Sequence, residues 1–514
     1  MNSRIVKPLS SVALLCAVIL CTARVSGDVI FPYHTNAFKF DYDLADHSAV
    51  RIGNLDLIPA VGPFDFSIIE QDRSGDSLSP AMRLIALPED RNLRLFSIAG
   101  ETVHSRNESA PRDYFSFAGG MRYQPSKHFG SLVMFSLDRS LAVDHSWDGI
   151  KWRGLAGEME TAAIFFRKGK LKLTFGRQRL FWGPKPVNLV LSAAVRPLDL
   201  LSAQYRMGRL SYSFVFARID KSRPNSADSL RFPEASFQDN RYLAGHRIDF
   251  RMHKQLRVGL FETVLYGGEG RPIELYYLNP LQFYHGAQLN ADENDNTILG
   301  IDFNWMPFES FSLYSQFIID DFQIDKKVQG DQEPDEIGLM VGAMRSGSVG
   351  SMNPDISFEY VRITNRTYNQ ALPRNRYLYR NQVLGHPLGP DADSLSMTIR
   401  FWPSRFQTVA FELAASRHGE GSIYDEWDEP WQTAVGDYDE PFPTGVVARS
   451  VSAAIRIAGY LPLTEYTSKH MFINFQAGYG STRNFGNIDG NDMRSSWLKL
   501  SFDWVGSFEI GLGR

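Results

Sequence analysis

Hydrophobic and polar residues alternate along Asn296–Phe322, NTILGIDFNWMPFESFSLYSQFIIDDF. Leu299, Ile301, Phe303 and Trp305 share one face; Gly300, Asp302 and Asn304 share the other. After Met306–Glu309 the alternation resumes, with Phe311, Leu313, Phe317 and Ile319 opposite Ser312, Tyr314, Gln316 and Asp320. A period of two is the strand signature, because successive side chains leave a strand on opposite sides. The three- and four-residue spacing of a helix is missing. The stretch predicts two strands of about ten residues joined by a short turn, long enough to cross a bilayer at a tilt.

The unit recurs from Asp113 onward. Expected strands are 113–124, 128–139, 155–168, 169–178, 199–207, 208–219, 241–254 and 255–266, then the pair within 296–322. They continue at 335–346, 353–364, 394–403, 405–417, 446–459, 467–480, 494–504 and 505–514. About eighteen strands, an even number, suit a closed antiparallel barrel. Connections differ in length. Lys254, Pro307–Phe308 and Pro403–Ser404 mark tight turns, whereas 220–240, 323–334, 365–393 and 418–445 are long. Short periplasmic turns and long external loops are the pattern of an outer-membrane barrel.

The N-terminus reads differently. Arg4 and Lys7 precede an apolar core at Val12–Leu20 and small residues at Ala23, Ser26 and Gly27. This predicts an export signal over 1–27. Both cysteines, Cys16 and Cys21, fall inside it, so the exported chain is expected to carry no disulfide and no thiolate metal site. Residues 28–112 show no sustained period. They are expected to form an N-terminal periplasmic region, under or inside the barrel, with a short helix at Pro80–Leu87 and a strand at Arg91–Ile98. The barrel is expected over 113–514.

Composition supports a membrane barrel. Aromatic residues make up 13% of 514 residues, mean hydropathy is only −0.24, and no apolar run after residue 30 could span a bilayer as a helix. A formal charge of −4 gives no reason to expect a nucleic-acid partner. If the apolar strand faces meet lipid, the polar faces line an interior rich in Lys170, Lys172, Arg247, Arg251, Arg257, Arg400, Arg456 and Lys499, beside Asp249, Asp302, Glu412 and Asp503. Such an interior is either a cationic path for anionic sugars or a self-paired network filling the barrel.

Two apolar inserts bear on the pore. Gly176–Arg206 and Arg271–Gln288 are both too apolar for solvated loops, and both are expected to fold into the mouth or lumen. Loop 418–445 is acidic and aromatic, with Tyr424, Asp425, Trp427, Asp428, Glu429 and Trp431. Ring faces stack on sugars, and carboxylates accept sugar hydroxyls or hold a cation that does. The other reading is a solvated loop whose aromatics pack on the rim. Asn487–Asp492 reads as a turn. Nucleophile-elbow, zinc-protease and phosphate-loop motifs are absent, so neither an enzyme nor a cofactor is expected.

Several stretches carry a family resemblance: GRQRLFWGP (176–184), VNLVLSAAVRPLDLL (187–201), YLAGHRIDF (242–250), YGGEGRPIELYYLNP (266–280), DNTILGIDFNWMPF (295–308), IIDDFQID (318–325) and GHPLGPDAD (385–393). In that order the chain resembles the Wzi-like capsule-assembly proteins of the bacterial outer membrane. The resemblance implies a plugged outer-membrane barrel that acts as a lectin for capsular or extracellular polysaccharide. Outer-membrane lipid surrounds such a barrel, and a monomer is expected. The alternative is a narrow channel for an anionic saccharide. Trp427, Trp431, Tyr424, Asp425, Asp428 and Glu429, with Arg247 and Arg251 in the lumen, are the candidate ligand contacts.

Overall fold

The computed structural model describes residues 36–53, 55, 60–62, 93–106, 112–126, 128–143, 147, 149–220, 240–291, 293–321, 332–347, 354–462 and 470–510. The expected signal over 1–27 and the helix at Pro80–Leu87 lie outside them.

Eighteen long strands close an antiparallel barrel. They are β1 Leu93–Arg106, β2 Arg112–Ser126, β3 Phe129–Asp138, β4 Leu155–Lys168, β5 Leu171–Gln178 and β6 Leu198–Met207. Next come β7 Leu210–Ile219, β8 Asn240–His253, β9 Leu256–Gly268, β10 Asn296–Trp305, β11 Phe311–Asp321 and β12 Glu336–Ser346. The last six are β13 Asp355–Ile363, β14 Ala392–Ser404, β15 Gln407–His418, β16 Ala448–Pro462, β17 His470–Arg483 and β18 Met493–Ile510. Each pairs with its sequence neighbours, and β18 returns to β1 in the register Leu93↔Ile510 to Arg106↔Trp497.

The strand number matches the expected eighteen through two compensating differences. Residues 494–504 and 505–514 were expected as two strands, but Met493–Ile510 is one unbroken strand. Gly506 and Ser507 stay in register with Ser97 and Phe96 instead of turning, and the strand's two edges serve different neighbours, β17 and β1. The compensating strand is Leu93–Arg106, expected in the N-terminal region but paired with β18 and β2; the barrel therefore begins at 93 rather than 113.

The period of two sorts the side chains. Ile301, Phe303 and Trp305 point outward and are 43%, 36% and 42% exposed, while Asp302 and Asn304 between them are buried. Leu260, Phe411, Leu413, Val451 and Trp504 continue the outward apolar belt. Facing lipid is favourable for these side chains, whereas a cation in their place at the midplane would cost about 2–4 kcal/mol. Inside, Arg247 donates to Asp249 (2.5 Å) and Asp302 (2.6 Å) and is fully buried. Arg456 pairs with Glu412 at 3.1 Å. Among the described residues the lumen cations thus include a self-paired network.

Segments from both ends of the barrel meet between these inward faces. Helix α1, Asn36–Ile52, lies at the short-turn end. Phe40 packs edge-on against Trp402, Tyr460 and Phe472 at 5.5–5.7 Å. His47 Nδ1 is 2.8 Å from Asp355, to which Trp402 Nε1 also donates (2.7 Å). Arg400 pairs with Asp43 at 2.9 Å. The helix escaped sequence reading because it is surrounded. Phe40, Asp41, Tyr42, Leu44, Ala45, His47, Ala49 and Val50 are all buried, so no apolar stripe with a polar back exists.

From the opposite end Leu180–Leu198 descends to meet it. Lys185 reaches Asp46 (2.5 Å), and Phe181–Trp182 forms a short antiparallel ladder with Val61–Gly62. The inward-facing Gln316 clamps this segment. Its Oε1 accepts from Leu189 N–H (2.6 Å), and its Nε2 donates to the Trp182 carbonyl (3.0 Å).

The second apolar insert corrects the expectation. After the five-residue helix α2, Arg139–Val143, come α3, Leu275–Leu278, and α4, Tyr284–Ala291. Both lie against the outward face of β8 and β9, not in the lumen. Tyr277, Tyr284 and Ala287 pack with Tyr242, Ala244, Val264 and Tyr266. These wall residues pair across the strands with the outward register that contains Ile248 and Leu260. The stretch is apolar because it covers a wall, and sequence cannot say which side of a wall an insert takes.

Candidate functional site

The external mouth is built on the descending segment. Residues 365–391 fold over it and are fixed from below. The inward guanidinium of Arg241 donates to the carbonyls of Arg374 (2.7 Å), Arg376 (2.6 Å) and Leu378 (3.0 Å). Tyr377 Oη is 3.2 Å from Thr263, and Tyr368 Oη donates to the Leu189 carbonyl at 2.5 Å. Leu378–Tyr379 and Gln382–Val383 pair as a two-residue hairpin whose tip, Arg380–Asn381, has φ of +48° and +59°. Two positive φ values give a turn whose twist matches its strands. Burial holds His386 well below the ordinary imidazole range, at about 4, and its Nδ1 accepts from Leu388 N–H at 3.2 Å. The ring is therefore neutral, with that nitrogen unprotonated.

Loop 418–447 closes over the hairpin. Asp391 fastens its base, accepting from Gly421 N–H (3.0 Å), Thr444 N–H (2.9 Å) and the Thr444 hydroxyl (2.5 Å). Asn487, in the turn at 485–487, donates to the carbonyls of His418, Gly419 and Val446. Tyr424 reaches across and donates to the Asn381 carbonyl at 2.7 Å. A cavity of about 320 Å³ remains between these parts. Its walls include Asn381, Gln382, His418, Ser422 and Tyr424, with Pro387 and Leu388 beside them. None of the cavity-lining side chains is an acid, a lysine or an arginine. Tyr424 is 48% exposed and offers an aromatic wall beside amide donors and acceptors.

The structure separates the candidate residues. Tyr424 lines the cavity. Asp425 lies nearby with its side chain largely exposed, and partial desolvation of its carboxyl holds it above the usual carboxylate range. Trp427 and Trp431, read from the sequence either as sugar contacts or as aromatics packed on the rim, are 9% and 7% exposed. They meet edge-to-face at 6.4 Å, and the Arg366 guanidinium sits 4.8 Å above Trp431. They are the loop's own small core, because an indole in water is costly to leave uncovered. Asp428 pairs with Arg366 at 3.0 Å, and Glu429 accepts from Trp427 Nε1 and Gln432. No group of three His, Cys, Asp or Glu placed to hold a metal occurs among the described residues. Arg247 is locked in the lumen wall, and Arg251 lies on the same strand near its short turn, away from the mouth. Arg366, Asn381, Gln382 and Asp391 were not singled out from the sequence. The stretch GHPLGPDAD, which supplies Pro387, Leu388 and Asp391, was the signal available.

A closed, lipid-belted barrel with a polar interior is an outer-membrane β-barrel protein. Within that class the chain belongs to the Wzi capsule-assembly family: the family model "Capsule assembly protein Wzi" matches residues 100–476. Among solved structures, the fold is similar to that of Escherichia coli Wzi, described as an outer-membrane protein involved in group 1 capsule assembly and a carbohydrate-binding β-barrel. That likeness has a TM-score of 0.59 at 13% identity, covering 93% of this chain and 99% of the other. OprD of Pseudomonas aeruginosa matches with a TM-score of 0.44 at 10% identity, over 86% and 100%. No curated protein matches by sequence.

Proposed function

We propose that this barrel binds a capsular or extracellular polysaccharide at the cell surface, helping to assemble or tether it, and that it does so without catalysing a reaction. The observation that carries this reading is the contrast between lumen and mouth. Below the mouth, Leu180–Leu198 and α1 meet between the inward faces, where Arg247 and Arg456 pair with carboxylates of the wall and Arg400 with Asp43 of the helix. Above it, an uncharged cavity bounded by Tyr424, Asn381 and Gln382 stays open. An aromatic plate beside amides and hydroxyls is the chemistry that recognises a sugar ring, which presents C–H faces and hydroxyl edges together. Family membership supports the same reading, as does the description of the Escherichia coli protein as carbohydrate binding.

The test is retention of surface polysaccharide by cells producing Tyr424→Ala with Gln382→Ala. Retention should fall while the amount of heat-modifiable barrel in the outer membrane stays unchanged. Full retention at equal barrel yield would contradict this site.

A further inference from the structure

The outward insert raises a separate question: what its own exposed side touches. Leu275 on α3, Leu281 and Phe283 in the link, and Leu289 on α4 are 79%, 86%, 53% and 69% exposed, although the other side of both helices is buried against the wall. We infer that α3 and α4 lie in the outer leaflet of the membrane, with this apolar edge against its acyl chains.

The first support is height. Glu262 and Val264, which the insert covers, lie on β9 six and eight residues above its short-turn end at Leu256. On β15, Leu413 lies six residues above Gln407; on β14, Leu395 lies nine residues above Ser404. Both point outward and are 51% and 52% exposed in the apolar belt. The insert therefore stands about as far from the short-turn end as residues of other strands in the wall that face lipid.

The second support is what lies beneath. Glu262 faces outward, yet it is 2% exposed. Its carboxylate accepts from the backbone N–H groups of Tyr284 (2.9 Å) and His285 (2.7 Å), and His246 Nε2 is 3.2 Å away. A bare carboxylate at this level would face hydrocarbon. The first turn of α4 covers it and has its own unpaired N–H groups satisfied in return. The charges of the insert are gathered at its base. Arg271 forms a two-pronged pair with Asp295 (2.5 and 3.0 Å), and Tyr277 also donates to Asp295 (2.6 Å). A helix with a buried face, an apolar edge and its charges confined to one end is suited to the boundary between headgroups and acyl chains.

The experiment uses nitroxide labels at Leu275→Cys, Leu281→Cys and Leu289→Cys, each in a Cys16→Ser, Cys21→Ser background, in phosphatidylcholine vesicles. Leu413→Cys serves as the lipid-facing reference. Val435→Cys, in the fully exposed part of loop 418–447, is the aqueous one. Heat-modifiable migration checks folding of every variant. Collision with oxygen should exceed collision with a water-soluble nickel chelate at all three positions, as at 413, with the chelate rate several-fold below that at 435. Chelate rates equal to those at 435 would overturn the inference. So would immobilised spectra shielded from both reagents, which would mean that a second copy or another protein covers the edge.

Discussion

Gln316 shows how much a single inward side chain can hold. It was visible in the sequence only as one polar position in an alternating strand. Nothing there disclosed that it would bond two backbone groups more than 120 residues away. Gln316→Leu would leave Leu189 N–H and the Trp182 carbonyl buried without this partner, at about 1–3 kcal/mol each. Amide exchange across 182–191 should then quicken at least about tenfold, with the barrel itself unchanged. Unchanged exchange would mean that other contacts hold the segment. Gly183 is constrained at the same place. Its φ is +150°, and an added Cβ would stand 2.6 Å from Gln316 Nε2. The tryptophans teach the opposite lesson. Trp427 and Trp431 drew notice as sugar platforms because sequence reports residue type, not what covers it. Arg366, which supplies the cover, lies in a different loop.

At the scale of elements, the strands were legible and the segments between them much less so. A strand in a barrel wall has two unlike surroundings, lipid and lumen, and the alternation records them directly. Helix α1 and the lumen segments have protein on every side, so their residues carry no comparable pattern. Leu93–Arg106 was recognised as a strand in part, but its place in the barrel depends on β18, at the far end of the chain. The hairpin segment 365–391 provides a pH test. His386 has a folded-state pKa of about 4, below the ordinary 6.5, because burial penalises its charged form. The folded state therefore takes up its proton later than the open state. Docking is fully stable above about pH 6.5 and loses stability as pH falls toward 4, by on the order of 3 kcal/mol. Amide exchange of 377–390 should rise across that window in the wild type and stay flat in His386→Gln. The same rise in both proteins would assign the effect to another group.

For the whole molecule, the even strand number, the asymmetry of turns and loops, and the outward belt were all readable, because closure in a membrane dictates them. Which insert enters the lumen was not, since Gly176–Arg206 and Arg271–Gln288 look alike in composition and take opposite sides of the wall. That distinction decides between a barrel that holds a polymer at its outer face and one that passes saccharide through. Single-channel conductance of the wild-type protein in a planar bilayer separates the two most directly. Inserted, heat-modifiable barrels should carry little or no steady current. Large, steady, porin-like conductance from the wild type would contradict that expectation.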